Sequence, residues 1–587
     1  MTLSNVPCPS DASEPLRSPA PAGAPARNLR PEEADLEQVR HYRRPQEKPF
    51  LASEVGKTTI LIGGLTRRHD RFIRAVFEGA GHKCEIVPTP DQAAFHVGKE
   101  YGNNGQCSPA YFMSGSLIRF LKHLESDGLS RREIADRYAF FTAGSCGPCR
   151  FGMYAAEYRM SLQSAGFGDF RVIRFQQDDG VRQQGMQPGL RYTLDFGLGM
   201  LKALYLGDVL NDLAHTIRPY EVHSGETEKV IDLCVGDLEA HLREFKPRRL
   251  SDELPAWVPW GLLGKNGTRS ALEHLHRIRC HLHGEALARV LERCRERINA
   301  IETDRTRLKP LVKIVGEFWA QTTEGDGNYR MFDFLEREGA QVLPEALGTW
   351  VAYLLAHARM LMDPRRGLDA RDEEPDFWDL RQRLLNQWGF QRKQSLLQFG
   401  EWLYTREYHH IVEALGGTAH RLVPQRELAR LAEPYYATLA RGGEGHLEVG
   451  KNIYYTANRL CHMVLSLKPF GCLPSSQSDG VQSAVVSRFR DMIFLPVETS
   501  GEGEVNAHSR VQMALGEARA KAKVELQNAL QRSGTTLQIV QEFVRRHPQL
   551  RQALYPVPHR HGVAGTAANF VLHVSDLMAG RAQMSRA

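Results

Sequence analysis

Short apolar runs alternate with longer amphipathic ones in two separate stretches of the chain, and this alternation limits the fold more than any other feature. In the first stretch "TTILIGGL" reads as a strand, "DRFIRAVFEGAG" as a helix and "CEIVP" as a second strand. A helix from Pro109 to Leu124, the strand "YAFFTAG", the helix "RFGMYAAEYRMSLQSAG" and the strand "RVIRFQ" follow. The second stretch opens on "LVKIVGEFW", runs through "NYRMFDFLEREGAQVLPE", gives way to a helical insertion over 350–460, and resumes with "HMVLSLKPFGCLP", the helix "VQSAVVSRFRD" and the strand "MIFLPVE". Strands that alternate with helices predict parallel sheets covered on both faces. The expected fold is α/β, with two Rossmann-like parallel-sheet units, large helical insertions and a helical C-terminus. Its expected divisions are an arm over 1–50, a first α/β domain over 51–215, a helical segment over 216–310, a second α/β domain over 311–505 and a C-terminal helical segment over 506–587, which ends in a short Pro-containing tail.

The arm is rich in Pro, Ala, Arg and Glu without an apolar period, so it reads as flexible. Its opening lacks the charged start and apolar run of a secretory signal. No apolar run reaches the ~18 residues of a membrane span. The 75 basic and 69 acidic residues leave a net charge of +6, and its scatter gives nucleic acid no basic face to bind. A cytoplasmic location is expected. In that reducing compartment ten cysteines are too sparse for a disulfide scaffold, and clustered ones point to metal or redox chemistry.

Three cysteines share one local context: Cys107 in "GNNGQCSPAYF", Cys149 in "GSCGPCRFG" and Cys472 in "KPFGCLPSSQ". Each stands in a Gly/Pro turn just before a predicted helix, and Cys149 and Cys472 also follow a predicted strand. In an open α/β sheet such turns gather at the carboxyl edge, where ligands bind. A helix N-terminus there favours the thiolate, and glycine lets the backbone approach a bulky inorganic group. Three thiolates from remote positions can therefore converge. Taken singly, each is equally well read as a buried turn residue. Cys146 and Cys149 form the only close pair, so spacing leaves a zinc site, a helix-start "CGPC" dithiol and an iron-sulfur site all open. Of the others, Cys84, Cys234, Cys280, Cys294 and Cys461 read for the most part as small buried apolar thiols, and Cys8 lies in the arm.

The order "CSPAYFMSGSLIRFL", "GPCRFGMY", "GEFWAQTTEGDGNYRMFDFLEREG", "GHLEVGKNIYYTANRL" and "KPFGCLP" resembles the acyl-CoA dehydratase activase-related proteins, within the wider 2-hydroxyglutaryl-CoA dehydratase and benzoyl-CoA reductase group. The resemblance spans most of the chain from about Thr58 to Ala520, and the pairing of "GPCRFG" with "PFGC-x-P" is its most specific part. It implies flavodoxin-like or Rossmann-like subdomains and an oxygen-sensitive 4Fe-4S cluster held by Cys107, Cys149 and Cys472, or in some relatives a double-cubane cluster. It also implies a low-potential electron delivered by an ATP-hydrolysing activator and spent on reducing or dehydrating a CoA thioester. Cys146 can supply a fourth thiolate, which would close the cluster and favour plain electron transfer; it can instead join a second cluster or stand beside the first. The alternative function is a non-catalytic iron-sulfur carrier or assembly protein.

No phosphate loop accompanies the resemblance. In "EVGKTT" a Walker loop would need glycine where Leu51 stands, and the strand follows the lysine, so any ATP enters through a partner. The sequence leaves open whether the chain pairs with itself or with a sister subunit. Arg150, beside Cys149, reads either as an offset to cluster charge or as a solvated arginine. Glu317, Glu498 and Glu504 follow predicted strands and are candidate proton carriers, or else caps and loop anchors. His276, Cys280 and His283 stand at i, i+4 and i+7, so one helix face carries three metal-ligand types without an apparent fourth.

Overall fold

The structure is a computed structural model that describes residues 48–144, 149–176, 189–247, 250, 268–363, 380–440 and 443–583. Two four-stranded sheets, both wholly parallel, carry the fold. The first contains β1 (Thr59–Ile62), β2 (Lys83–Ile86), β3 (Tyr138–Gly144) and β4 (Arg171–Gln176) in the order β2-β1-β3-β4. The second contains β5 (Leu311–Gly316), β6 (Gln341–Leu343), β7 (Met463–Pro469) and β8 (Phe494–Thr499) in the order β6-β5-β7-β8. The two orders are the same. In each unit the chain steps one way to its second strand, then returns across the first, so the loops after β1 and β3, and after β5 and β7, diverge and open a crevice at the carboxyl edge.

Sequence explains why these runs are central strands. "LVKIVG" and "MVLSLKP" are buried along their whole lengths, as strands covered on both faces must be. Val312, Ile314, Leu465 and Leu467 form one core with Val511 and Leu515 of the Glu504–Ser533 helix, which covers the second sheet. The helices Glu226–Glu244 and Glu285–Asn299, predicted as a segment of their own, share the first unit's core: Val235, Leu238, Leu291 and Ile298 pack in one cluster with Phe72, Val76 and Ile60.

The described residues of the 350–460 stretch form the helices Leu347–Met360, Leu380–Ala414, Gln425–Ala432 and His446–Ala457. The C-terminal segment differs from a plain tail. The Glu504–Ser533 helix stops at Gly534, whose φ of 61° ends the helix in a left-handed turn. The helices Leu537–Arg546 and Thr566–Met578 then fold back into an apolar cluster around Val540, Phe570 and Val571. Among the described residues no helix is long and apolar enough to cross a membrane.

Candidate functional site

Each of the three turn cysteines begins a helix. Cys107 precedes Ser108–Ser126, Cys149 precedes the short 3-10 helix Arg150–Met153, and Cys472 precedes Leu473–Arg488. Pro109 and Pro474 stand in the first turns of two of these helices, where a missing N–H costs nothing. Cys149 follows β3 and Cys472 follows β7, so the two occupy equivalent places in the two sheets.

Direct contacts hold the turn at Cys107 against the turn that leads into Cys472. The Ser108 N–H donates to the Phe470 carbonyl at 3.1 Å, and the Ser108 hydroxyl donates to the Thr499 carbonyl at 2.7 Å, at the end of β8. Gly471, with a φ of 78°, lets its turn lie on the Cys107 backbone. On the other side the Tyr154 hydroxyl lies 3.2 Å from the Cys107 Sγ, and Tyr154 is the residue at which the 3-10 helix after Cys149 passes into the helix Tyr154–Ser164. Cys107 and Cys472 are buried and Cys149 is half-buried. Exposed Met153, Phe470 and Leu473 stand beside them in the same turns.

Carboxyl groups complete the surroundings. Glu317 directly follows β5; its Oε2 accepts the Ala320 N–H at 2.9 Å, and burial pushes the carboxyl up to about 7. Glu444 lies between Gly443 and Gly445, both with positive φ, and its Oε1 accepts the Phe318 N–H at 2.7 Å while its buried Oε2 has no hydrogen-bond partner. Burial, then Glu317 and Glu448, push Glu444 well above the usual carboxylate range. Burial pushes all three thiols up as well, and Glu317 adds to the rise in each, so one carboxyl group lies within electrostatic reach of Cys107, Cys149 and Cys472. Glu448 accepts from the Ser475 hydroxyl at 2.8 Å and from Ser478, both in the helix that Cys472 begins. Two cations enter the same region. Lys468, buried in β7 and paired with Asp479, is depressed by desolvation and supported by Glu448 and Cys472. The Arg150 charge reaches Cys107, and its buried Nε has no hydrogen-bond partner.

Thiols and carboxyls thus outnumber the cations here. A positively charged inorganic core suits such a donor set, since it would stabilise thiolates that burial alone disfavours. Among the described residues no three His, Cys, Asp or Glu side chains are gathered tightly enough to bind a single metal ion.

The other candidates are dispersed. Cys146 lies outside the described residues, as does Cys8. Glu498 is exposed, opposite Lys468 in the β7–β8 register, and Glu504 is exposed in the first turn of its helix. The His276 Nε2 lies 3.3 Å from the Cys280 Sγ, but His283 pairs with Glu407 at 2.9 Å on another helix. Cys234 and Cys294 face each other's carbonyls at 3.8 and 3.9 Å within the first core. Tyr154, Glu444, Glu448 and Lys468 were not singled out in the sequence. The signal for Glu444 and Glu448 was the glycine-rich "GGEGHLEVG" before a helix, the same turn context as the cysteines.

A separate polar cavity of about 370 Å³ lies between the units, reached by Thr66 after β1, Asp212, Lys313, Glu345 after β6 and His420; none of the three turn cysteines lines it. In comparisons with known proteins, the chain matches no family model and no curated protein.

Proposed function

We propose that this chain is the iron-sulfur component of a reductase or dehydratase of the 2-hydroxyacyl-CoA dehydratase type, holding a 4Fe-4S cluster on Cys107, Cys149 and Cys472 and taking low-potential electrons from a separate ATP-dependent activator. The observation that carries this reading is the equivalence of Cys149 and Cys472 at the carboxyl edges of two identically ordered sheets, with Cys107 pinned against the second by the Ser108 to Phe470 hydrogen bond. The family resemblance of the cysteine turns supports it independently. When bound, the cluster supplies a one-electron reductant whose potential depends on burial and on hydrogen bonds to its sulfurs.

The chain's own residues have legible parts in this reading. The Gly/Pro turns present the thiols and the helix starts favour their ionised form. Tyr154 orients the Cys107 sulfur, and its hydroxyl, pushed up by burial and by Cys107, stays protonated. Burial raises Glu317 to about 7 and Glu444 well above the usual carboxylate range, in a region where a reduction or a loss of hydroxide calls for a proton donor.

Anaerobic purification followed by an absorption spectrum and by iron and sulfide analysis tests the proposal. A brown protein with iron and sulfide in equal amounts, lost together in Cys107→Ala and Cys472→Ala and retained in Cys234→Ala, is the expected result. A colourless zinc-bound protein would end it. A cluster that forms but leaves its electron paramagnetic resonance unchanged when acyl-CoA is added would point instead to the carrier function.

A further inference from the structure

The Leu380–Ala414 helix has two halves of different character. Its C-terminal half is built into the first core through Tyr404, Tyr408, Ile411 and Val412, and is tied there by the Tyr404 hydroxyl to the Gly348 carbonyl at 3.1 Å and by Arg359 to Glu401 at 2.9 Å. The stretch over 384–402 leaves large apolar side chains in solvent: Leu384 is 70% exposed, Trp388 61%, Phe399 55% and Trp402 51%, with Leu385 and Leu396 about as open. At ~100° per residue these six fall within an arc of about 120°, opposite the face that enters the core. The stripe runs from Arg381 to Arg406, roughly 38 Å of helix. Its apolar side chains expose roughly 600 Å², most of the ~800 Å² that each partner contributes to a stable interface.

Between Arg381 and Arg406 the only charges in the arc are those two arginines and Arg392. Arg392 lies 5.5 Å from the Trp388 ring centre and Arg406 5.2 Å from that of Trp402. This charge pattern selects the occupant. A second copy paired about the middle of the stripe would set Arg381 against Arg406 and bring the two Arg392 side chains together. A lipid surface suits charges at the borders of an apolar face, but Arg392 lies inside the arc, between Trp388 and Leu396, and would enter the acyl layer with them. Stacked Trp and Arg side chains with flanking leucines are instead the composition of a protein hot spot, and carboxylates on the facing surface complete it.

We propose that this exposed face docks a partner protein presenting an apolar surface rimmed by carboxylates. The inference does not depend on the iron-sulfur reading. The test measures fluorescence anisotropy of two labelled helical peptides with the same leucine stripe, one flanked by glutamates and one by lysines, against the full-length chain. The glutamate peptide should bind at least about tenfold tighter at low salt, and that preference should shrink as salt rises. Trp388→Ser with Trp402→Ser should weaken binding at least about tenfold, and Arg392→Glu with Arg406→Glu should transfer preference to the lysine peptide, with circular dichroism unchanged in both. Equal binding of the two peptides, or binding of neither, overturns the proposal. So does binding to phosphatidylglycerol vesicles in their place, or self-association in sedimentation that the tryptophan variants abolish. Peptide binding that emerges only when the carboxylates of 369–379 are neutralised would assign the face to the chain's own acidic stretch and overturn it equally.

Discussion

A β-carbon built on Gly471 would lie 3.3 Å from the Cys107 Cα and 3.3 Å from the Gln106 carbonyl oxygen. Two segments far apart in the sequence therefore meet backbone to backbone at the site, and the Gly471 φ of 78° is one that other residues adopt only with strain.

Gly471→Ala should therefore cost about 1–2 kcal/mol of stability from backbone conformation alone, with an added displacement of the Cys107 turn. Thermal unfolding measures the first effect. Iron content after anaerobic reconstitution measures the second, and it should fall well below that of the parent chain. Retention of full iron content would break the link between this contact and the thiol geometry.

Tyr154→Phe removes only the hydroxyl that lies 3.2 Å from the Cys107 Sγ. The fold should lose about 1 kcal/mol or less. In the cluster-loaded protein the reduction potential should move to a more negative value, because one hydrogen bond that stabilises the reduced sulfurs is gone. A redox titration followed by electron paramagnetic resonance reads the shift.

Glu345 sits between two buried lysines, with Lys313 Nζ at 2.8 Å and Lys451 Nζ at 3.1 Å. Burial pushes its carboxyl up, but the two ammonium groups outweigh that and hold it at about 2. A carboxyl group depressed on folding contributes stability that is complete above its ordinary range near 4.5 and is lost as pH falls towards 2. Glu345→Gln should cost about 3–5 kcal/mol at neutral pH by leaving buried lysines without their counter-charge. Urea unfolding against pH should show the parent losing this advantage in acid, so that the two curves approach each other there.

Lys202 works in the opposite sense. It is 1% exposed, its Nζ lies 4.3 Å from the Phe245 ring centre, and desolvation lowers it from 10.5 to about 7. The unfolded chain then binds more protons than the folded one between about pH 7 and 10, so this group makes stability rise with pH across that window. Lys202→Met keeps the volume and removes the charge. It should flatten that rise and stabilise the protein below pH 7; an unchanged slope in chemical denaturation would show that Lys202 is not its source.

Much of the fold was legible because its signals are local. Runs such as "LVKIVG" and "YAFFTAG" carry strand character wherever they stand, and Cys107, Cys149 and Cys472 announce themselves by Gly/Pro turns ahead of helices. Carboxylates carried no such signal. Glu317 and Glu498 both accompany strand ends, yet one is buried against the thiols and the other is exposed, and only packing separates them. His283 shares a helix face with His276 and Cys280, but Glu407 on a neighbouring helix claims it.

By itself the sequence determined where strands and helices form and which cysteines stand at helix starts, since backbone preference and hydrophobic period act over a few residues. The tertiary structure decided that the two sheets share one strand order, that Gly471 meets Cys107, and that Glu317, Glu444 and Glu448 are buried near the cysteine turns. Those outcomes depend on which distant surfaces exclude water together, and no stretch of neighbouring residues contains that information.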